Sequence, residues 1–240
     1  MLVNVLKAGL ASAALFAGTA MMFNPAPASA QDGWTRVQSV VYGGGRMVTG
    51  SGNVVSDDRA VSRAVRRIVI EDASDLTLRQ GAPELVVQTD DNIIDMIHSD
   101  VEGETLTIRS RGSYRTKSGV KAFLTLPDLD KAEVHGSGNI RIIDWQGERL
   151  TLQVNGSGDI DLKGRVATVE ANVHGSGDVD LRQARIGRVD AEVAGSGDIR
   201  TGAPRQVSAV VHGSGDIHID GNPERLHTRV HGTGEIHGAH

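Results

Sequence analysis

From Leu150 to Leu162 the chain alternates without a break. Leu150, Leu152, Val154, Gly156, Gly158, Ile160 and Leu162 share one parity, and Thr151, Gln153, Asn155, Ser157, Asp159 and Asp161 share the other. The pattern returns with Val169, Ala171, Val173, Gly175, Gly177, Val179 and Leu181. Period two over such a span predicts a strand with one buried and one wet face. A helix would need apolar residues at i, i+3, i+4 and i+7, and it would not tolerate paired glycines in mid-span.

The alternation belongs to a tandem repeat. Six segments align: Val134-His-Gly-Ser-Gly-Asn-Ile140, Val154-Asn-Gly-Ser-Gly-Asp-Ile160, Val173-His-Gly-Ser-Gly-Asp-Val179, Val193-Ala-Gly-Ser-Gly-Asp-Ile199, Val211-His-Gly-Ser-Gly-Asp-Ile217 and Val230-His-Gly-Thr-Gly-Glu-Ile236. Their first valines step by 20, 19, 20, 18 and 19 residues. A fixed period near 20 is the mark of a solenoid, whereas a propeller blade needs about 40 residues. The expected fold is therefore all-β, a parallel β-helix or solenoid of about six rungs of 18–20 residues over about 129–237. Rungs spaced about 4.8 Å apart would make a prism roughly 25–30 Å long. An antiparallel meander is the alternative, but like segments would then lose their like-on-like stacking.

Two glycines per unit lie on the inward parity: Gly136 and Gly138, Gly156 and Gly158, Gly175 and Gly177, Gly195 and Gly197, Gly213 and Gly215, Gly232 and Gly234. Either they turn a corner with positive φ, or they let facing walls approach where a side chain would not fit. The stretches that close each coil, such as Gln146 to Arg149 and Lys163 to Arg165, have turn composition.

The chain before the repeat reads as irregular all-β. Arg67–Glu71, Leu76–Arg79, Leu85–Thr89, Thr105–Arg109 and Val120–Leu126 alternate between turn signals, and 91–99 has room for one helical turn. An isolated copy of the motif stands at Val48-Thr-Gly-Ser-Gly-Asn-Val54. No linker separates this part from the repeat, so 47–237 is expected to be one domain, with the N-terminal part capping or extending the solenoid. Residues 1–30 read as a cleaved signal peptide: Lys7, an apolar run from Ala8 to Phe23, and Ala28-Ser29-Ala30 as the cleavage pattern. Residues 31–46 are expected to be a flexible N-terminus, and no transmembrane span is expected in the mature chain.

Composition narrows the setting. There is no cysteine, which excludes a disulfide framework and thiolate metal sites. Without Lys7 the mature chain has 24 basic and 30 acidic residues, net −6, with the signs interspersed. No basic stripe argues for nucleic acid or for an anionic membrane surface. High glycine with 3 % aromatics can signal disorder, but here the glycines recur at fixed positions among β-branched residues.

On these residues the chain resembles the auto-transporter adhesin, head GIN domain family of bacterial envelope proteins. The resemblance is carried by Gly50–Asn53, Ile68-Val-Ile70, Leu78-Arg-Gln-Gly81, Val86 to Asn92, Leu106-Thr-Ile108, Leu124-Thr-Leu-Pro127 and the G-S-G ladder, over about 47–237. It implies a secreted or periplasmic β-helical protein of adhesin-like character and brings no catalytic residues. The six regular copies and the histidine-rich C-terminus depart from the family pattern.

Stacking would place like residues in columns. One is Asn139, Asp159, Asp178, Asp198, Asp216 and Glu235, and another is Ser137, Ser157, Ser176, Ser196, Ser214 and Thr233. Carboxylates about 4.8 Å apart repel by about 1 kcal/mol in water, so something must offset them. Asx-type turns to backbone N–H groups would do so. Ca²⁺ bound by Asp159, Asp178, Asp198, Asp216 and Glu235 is the sharper alternative, since hard ions take oxygen ligands. His135, His174, His212 and His231 form a further column, with His218, His227, His237 and His240 nearby. His212 and His231 would be the core of a Zn²⁺ or Cu²⁺ site.

No enzyme signature is present. G-S-G lacks the strand–turn–helix setting of a nucleophile elbow, and only Trp34 and Trp145 could serve as sugar platforms. The leading expectation is a non-catalytic envelope scaffold binding an envelope protein or glycan. A periplasmic metal-binding protein, an end-to-end homo-oligomer and, last, a polysaccharide-active enzyme are the alternatives.

Overall fold

The structure, a computed structural model, describes residues 47–238. The expected signal peptide, the stretch 31–46, Trp34 and His240 lie outside the described residues.

The repeat folds as a parallel β-solenoid. Its first wall stacks Lys131–Val134 on 151–154, then 169–173, 189–193, Gln206–Val211 and Arg225–Val230, all parallel. The second wall stacks 140–142, 160–161, Val179–Leu181, Ile199–Thr201, Ile217–Ile219 and Ile236–Gly238. Each of the six repeated G-[ST]-G segments lies at the corner between these walls. Six corners bound five complete turns between Val134 and Val230. The inward parity is the core: Leu150, Leu152, Val154, Ile160 and Leu162 are buried, as are their counterparts in the neighbouring coils.

The return stretches depart from the turn expectation. In three coils they are strand, and they form a third wall. Ile140–Val154 is one continuous strand that wraps all three walls, bent at an irregularity between Ile142 and Trp145 where Asp144 takes φ 55°. Trp145 then points inward and is fully buried. The third wall runs Trp145 on Gly164 on Ala184, Gln146 on Arg165 on Arg185, and Gly147 on Val166 on Ile186. Gly164 has φ 144°, and a Cβ there would collide with the Trp145 backbone. The polar residues read as a turn are the outward parity of a strand whose inward parity is Trp145, Val166 and Ile186.

The N-terminal part both extends and caps the stack. Arg67–Ile70 and Asp75–Gln80 form a coil directly beneath 131–143. Thr105–Ser110 and Lys121–Leu126 form the coil beneath that one. Stack order therefore differs from chain order, because the coil built first lies second from the end. Antiparallel strands finish this end: Ile97–Glu102 on Thr105–Ser110, and Glu84–Asp90 on Lys121–Leu126, with Val54–Arg59 beyond. The inward-facing Asp57 and Arg59 pair with each other at 2.8 Å on that edge strand, and charge on the inward face of an edge discourages further pairing. One 3-10 turn, Ile94–Met96, stands where a helical turn was expected.

The isolated G-S-G-N copy is not a rung. Ser51 and Asn53 hydrogen-bond the Asp91 carboxylate and hold it below its ordinary pKa. A Cβ at Gly50 would land on Asp90.

The role of the repeated glycines is decided by their surroundings. At the corners only Gly232, at 157°, has a positive φ, so turning the chain is not their task. Ideal Cβ atoms on Gly156, Gly158, Gly175, Gly177, Gly195, Gly197, Gly213, Gly215, Gly232 and Gly234 would each lie within 3.0 Å of the carbonyl oxygen of the corresponding glycine one coil below. Gly136 and Gly138 meet the Asp72 and Ser74 carbonyls in the same way. The close approach is therefore between successive coils rather than between facing walls.

Gly177→Ala should destabilise the protein by about 3 kcal/mol, since it overpacks rigid backbone. Ser176→Ala at the exposed position between the glycines should stay within about 0.5 kcal/mol. Urea unfolding midpoints compare the two, and equal midpoints would contradict the steric account.

Candidate functional site

The corner column is the most regular polar surface of the molecule. At each corner the first glycine's carbonyl accepts two N–H bonds from the next coil. Gly156 O accepts from Ser176 N at 2.9 Å and from Gly177 N at 3.3 Å, and the arrangement recurs at Gly136, Gly175, Gly195 and Gly213. Backbone geometry thus locks Ser137, Ser157, Ser176, Ser196, Ser214 and Thr233 into one exposed row. Thr233 Oγ1 donates to Ser214 Oγ at 3.0 Å.

The carboxylate column is tied into the same stack. Asp159 N donates to Asn139 Oδ1 at 2.9 Å, Asp178 N to Asp159 Oδ1 at 2.8 Å, Asp198 N to Asp178 Oδ1 at 2.8 Å, Asp216 N to Asp198 Oδ1 at 2.9 Å and Glu235 N to Asp216 Oδ1 at 2.7 Å. The side chains of Asn139, Asp159, Asp178, Asp198 and Asp216 therefore accept from the backbone of the next coil, not from their own turn as an Asx turn would. The column starts earlier than the repeat, because Asn139 Nδ2 donates to Asp75 Oδ1 at 2.8 Å.

Arg200 relieves the repulsion between the remaining oxygens of Asp178 and Asp198. Arg200 bridges Asp178 Oδ2 at 2.7 Å and Asp198 Oδ2 at 2.8 Å, and the Asp178 bond strengthens the guanidinium's hold on its proton. His237 Nε2 lies 3.7 Å from Asp216 and 3.4 Å from Glu235. Beside the column Arg182 hydrogen-bonds Asp180 and holds that carboxyl below its ordinary pKa.

The histidines stack rather than converge. The His212 and His231 rings are 5.1 Å apart with an interplanar angle of 12°, and His218 and His237 are 4.9 Å apart at 14°. His135 instead contacts Glu133 at 3.0 Å. Among the described residues no group of three or more His, Asp or Glu side chains could hold a metal ion.

One surface was missed in the sequence: the third wall, where Arg165 and Arg185 are register neighbours. They line a shallow groove of about 630 Å³ with Gln146, Glu148, Val166 and Ile186. The only signal for it was the shared spacing of 146, 165 and 185 within the repeat, in stretches that read as turns.

Comparison with known proteins gives a consistent picture. The family model described as "Putative auto-transporter adhesin, head GIN domain" matches residues 65–223. No curated protein matches the chain. A structure titled "putative adhesin" from Bacteroides fragilis NCTC 9343 is 22% identical with a TM-score of 0.65, covering 79% of this chain and 98% of its own. Another from Parabacteroides distasonis ATCC 8503 is 17% identical with a TM-score of 0.66, covering 80% and 99%. A third, titled "Putative lipid binding protein" and also from Parabacteroides distasonis ATCC 8503, is 24% identical with a TM-score of 0.52, covering 80% and 98%. At these identities the structural likenesses establish the fold. Among the described residues no helix is long and apolar enough to cross a membrane.

The inter-coil role of the carboxylates is open to a paired test. Asp159→Ala leaves the Asp178 N–H without its acceptor and should cost about 1 kcal/mol. Asp159→Asn keeps an Oδ1 acceptor, as Asn139 does one coil below, and should cost close to nothing. Urea midpoints read both, and equal losses would refute the assignment.

Proposed function

Because this chain belongs to the "Putative auto-transporter adhesin, head GIN domain" family, we propose that it is a non-catalytic protein of the bacterial envelope. In this reading it is a rigid β-solenoid that displays a repetitive polar face to a glycan or protein partner. The observation that carries the reading is the corner column. Its backbone is fixed coil by coil and its Asp oxygens are engaged within the stack, which leaves an evenly spaced exposed row of Ser and Thr hydroxyls flanked by histidines. Evenly spaced weak contacts add up through multivalency, and a rigid array loses little freedom when it docks. Export follows from the leader expected at 1–30.

Immobilised mature protein is expected to bind a subset of a glycan array or of intact envelope preparations in a saturable manner. Replacing Ser157, Ser176 and Ser196 together by Ala should weaken that binding about tenfold while leaving the melting midpoint unchanged. An absence of binding to glycans and envelopes alike would set the reading aside. Mass spectrometry of the periplasmic fraction should find the chain beginning at Gln31, and a retained leader would remove the export step.

A second reading, self-association, is favoured by one observation. At the C-terminal end of the stack Leu226 and Val230 face inward yet are 45% and 43% exposed. Among the described residues nothing stacks on Arg225–Val230 from outside. The opposite end carries the inward Asp57–Arg59 pair, so such contact would join two C-terminal edges and stop at a pair rather than grow into a filament. Light scattering should then report a dimer that Val230→Asp dissociates, and a strict monomer at high concentration would remove this reading.

A further inference from the structure

The third wall carries charge that the stack does not use. Gln146, Arg165 and Arg185 form an outward column by register. Beside it Ala167 and Gly187 carry almost no side chain, and the missing bulk opens the groove of about 630 Å³. On the other side of the same two arginines lies a smaller depression of about 300 Å³, bordered by Asp144, Trp145 and Gly164.

Most arginines elsewhere on the regular coils are paired. Arg141, Arg182, Arg188, Arg200 and Arg205 each reach a carboxylate within 4.0 Å. Arg165 and Arg185 have no such contact among the described residues, although Glu148 borders the same groove. Among the described residues Arg149, Arg225 and Arg229 also lack a carboxylate within 4.0 Å, but they stack on Thr168, Gln206 and Val210 rather than on another arginine. Two cations on adjacent coils, about 4.8 Å apart at the backbone, repel by roughly 1 kcal/mol in water. The carboxylate column meets the same repulsion and relieves it with Arg200. The arginine column has no counterpart, and a bound anion would supply one.

The geometry selects the anion. A carboxylate offers two oxygens in one plane, which a single guanidinium fork can satisfy. Two forks side by side call for a group with more oxygens spread in three dimensions, and a phosphoryl group has them. Val166 and Ile186 turn their side chains into the core, so between the arginines and the small residues Ala167 and Gly187 the floor of the groove is backbone, which leaves room for the skeleton to which that group is attached.

We propose that Arg165 and Arg185 form a binding site for a phosphoryl group in the groove on the third wall. The group can be carried on a lipid headgroup or on a saccharide, and the recognition chemistry is the same. The site shares no residue with the corner column, so it can fail without affecting the adhesin-like reading, and the reverse.

Calorimetry of the full mature chain with inorganic phosphate at low salt is the primary measurement. Saturable binding is expected, at least about tenfold weaker in R165Q/R185Q and unchanged in R111Q/R115Q, which removes two exposed charges elsewhere. Acetate should bind about tenfold more weakly than phosphate. Matching melting midpoints for the three proteins would show that the fold is kept. Cosedimentation with phosphatidylglycerol vesicles, against phosphatidylcholine alone, separates the sources. Vesicle binding lost in R165Q/R185Q points to a lipid headgroup, and phosphate binding without vesicle binding points to a saccharide-borne phosphate. No phosphate binding by the native chain, equal loss in both double variants, or acetate binding as tightly as phosphate would overturn the proposal.

Discussion

At each corner the backbone of one coil rests on the backbone of the next with no room for a side chain. That constraint governs the molecule. Gly156, Gly175, Gly195 and Gly213 stack so closely that each Cβ would strike the carbonyl below. With glycine there, the carbonyl below accepts two N–H groups from the coil above, and the inter-coil ladder runs through the corner without interruption. A chain that turned this corner with larger residues would have to separate its coils, and parallel pairing on both adjoining walls would then be lost.

The other polar features follow from this spacing. Coils held at backbone contact distance put Asp159, Asp178, Asp198 and Asp216 in one line. The same closeness that makes them repel brings each within reach of the next coil's N–H. The outer oxygens keep the residual repulsion, which Arg200 takes up between Asp178 and Asp198. The column of acids is part of the hydrogen-bonding frame. The stacked histidine rings follow from the same translation, since rings on successive coils face one another instead of converging on a point.

Function on such a scaffold belongs to whatever the ladder leaves unengaged. On the corner these are the serine hydroxyls, and on the third wall they are Arg165 and Arg185. The two surfaces differ in chemistry, one neutral and repetitive, the other cationic and confined to two coils. They can serve different ligands or different parts of one large ligand. Family membership sets the broad context of adhesin-like proteins.

The sequence by itself determined the solenoid, the parity of the core and the exposure of the serine row. These follow from local alternation and from a period that any stack of like coils must repeat. Val154, Ile160 and Leu162 could be assigned inward by reading alone, and they are buried. Three features were decided only by tertiary structure. The coil 105–126 lies beneath 67–80 because parallel strands choose partners far away in the chain, and nothing local marks the exchange. The third wall emerged because Trp145 and Val166 pull their stretches inward, while the polar residues between them look like a turn when neighbours are unknown. The backbone donors to the carboxylate column sit 18 to 20 residues away, and only the stacking distance reveals which N–H each oxygen meets.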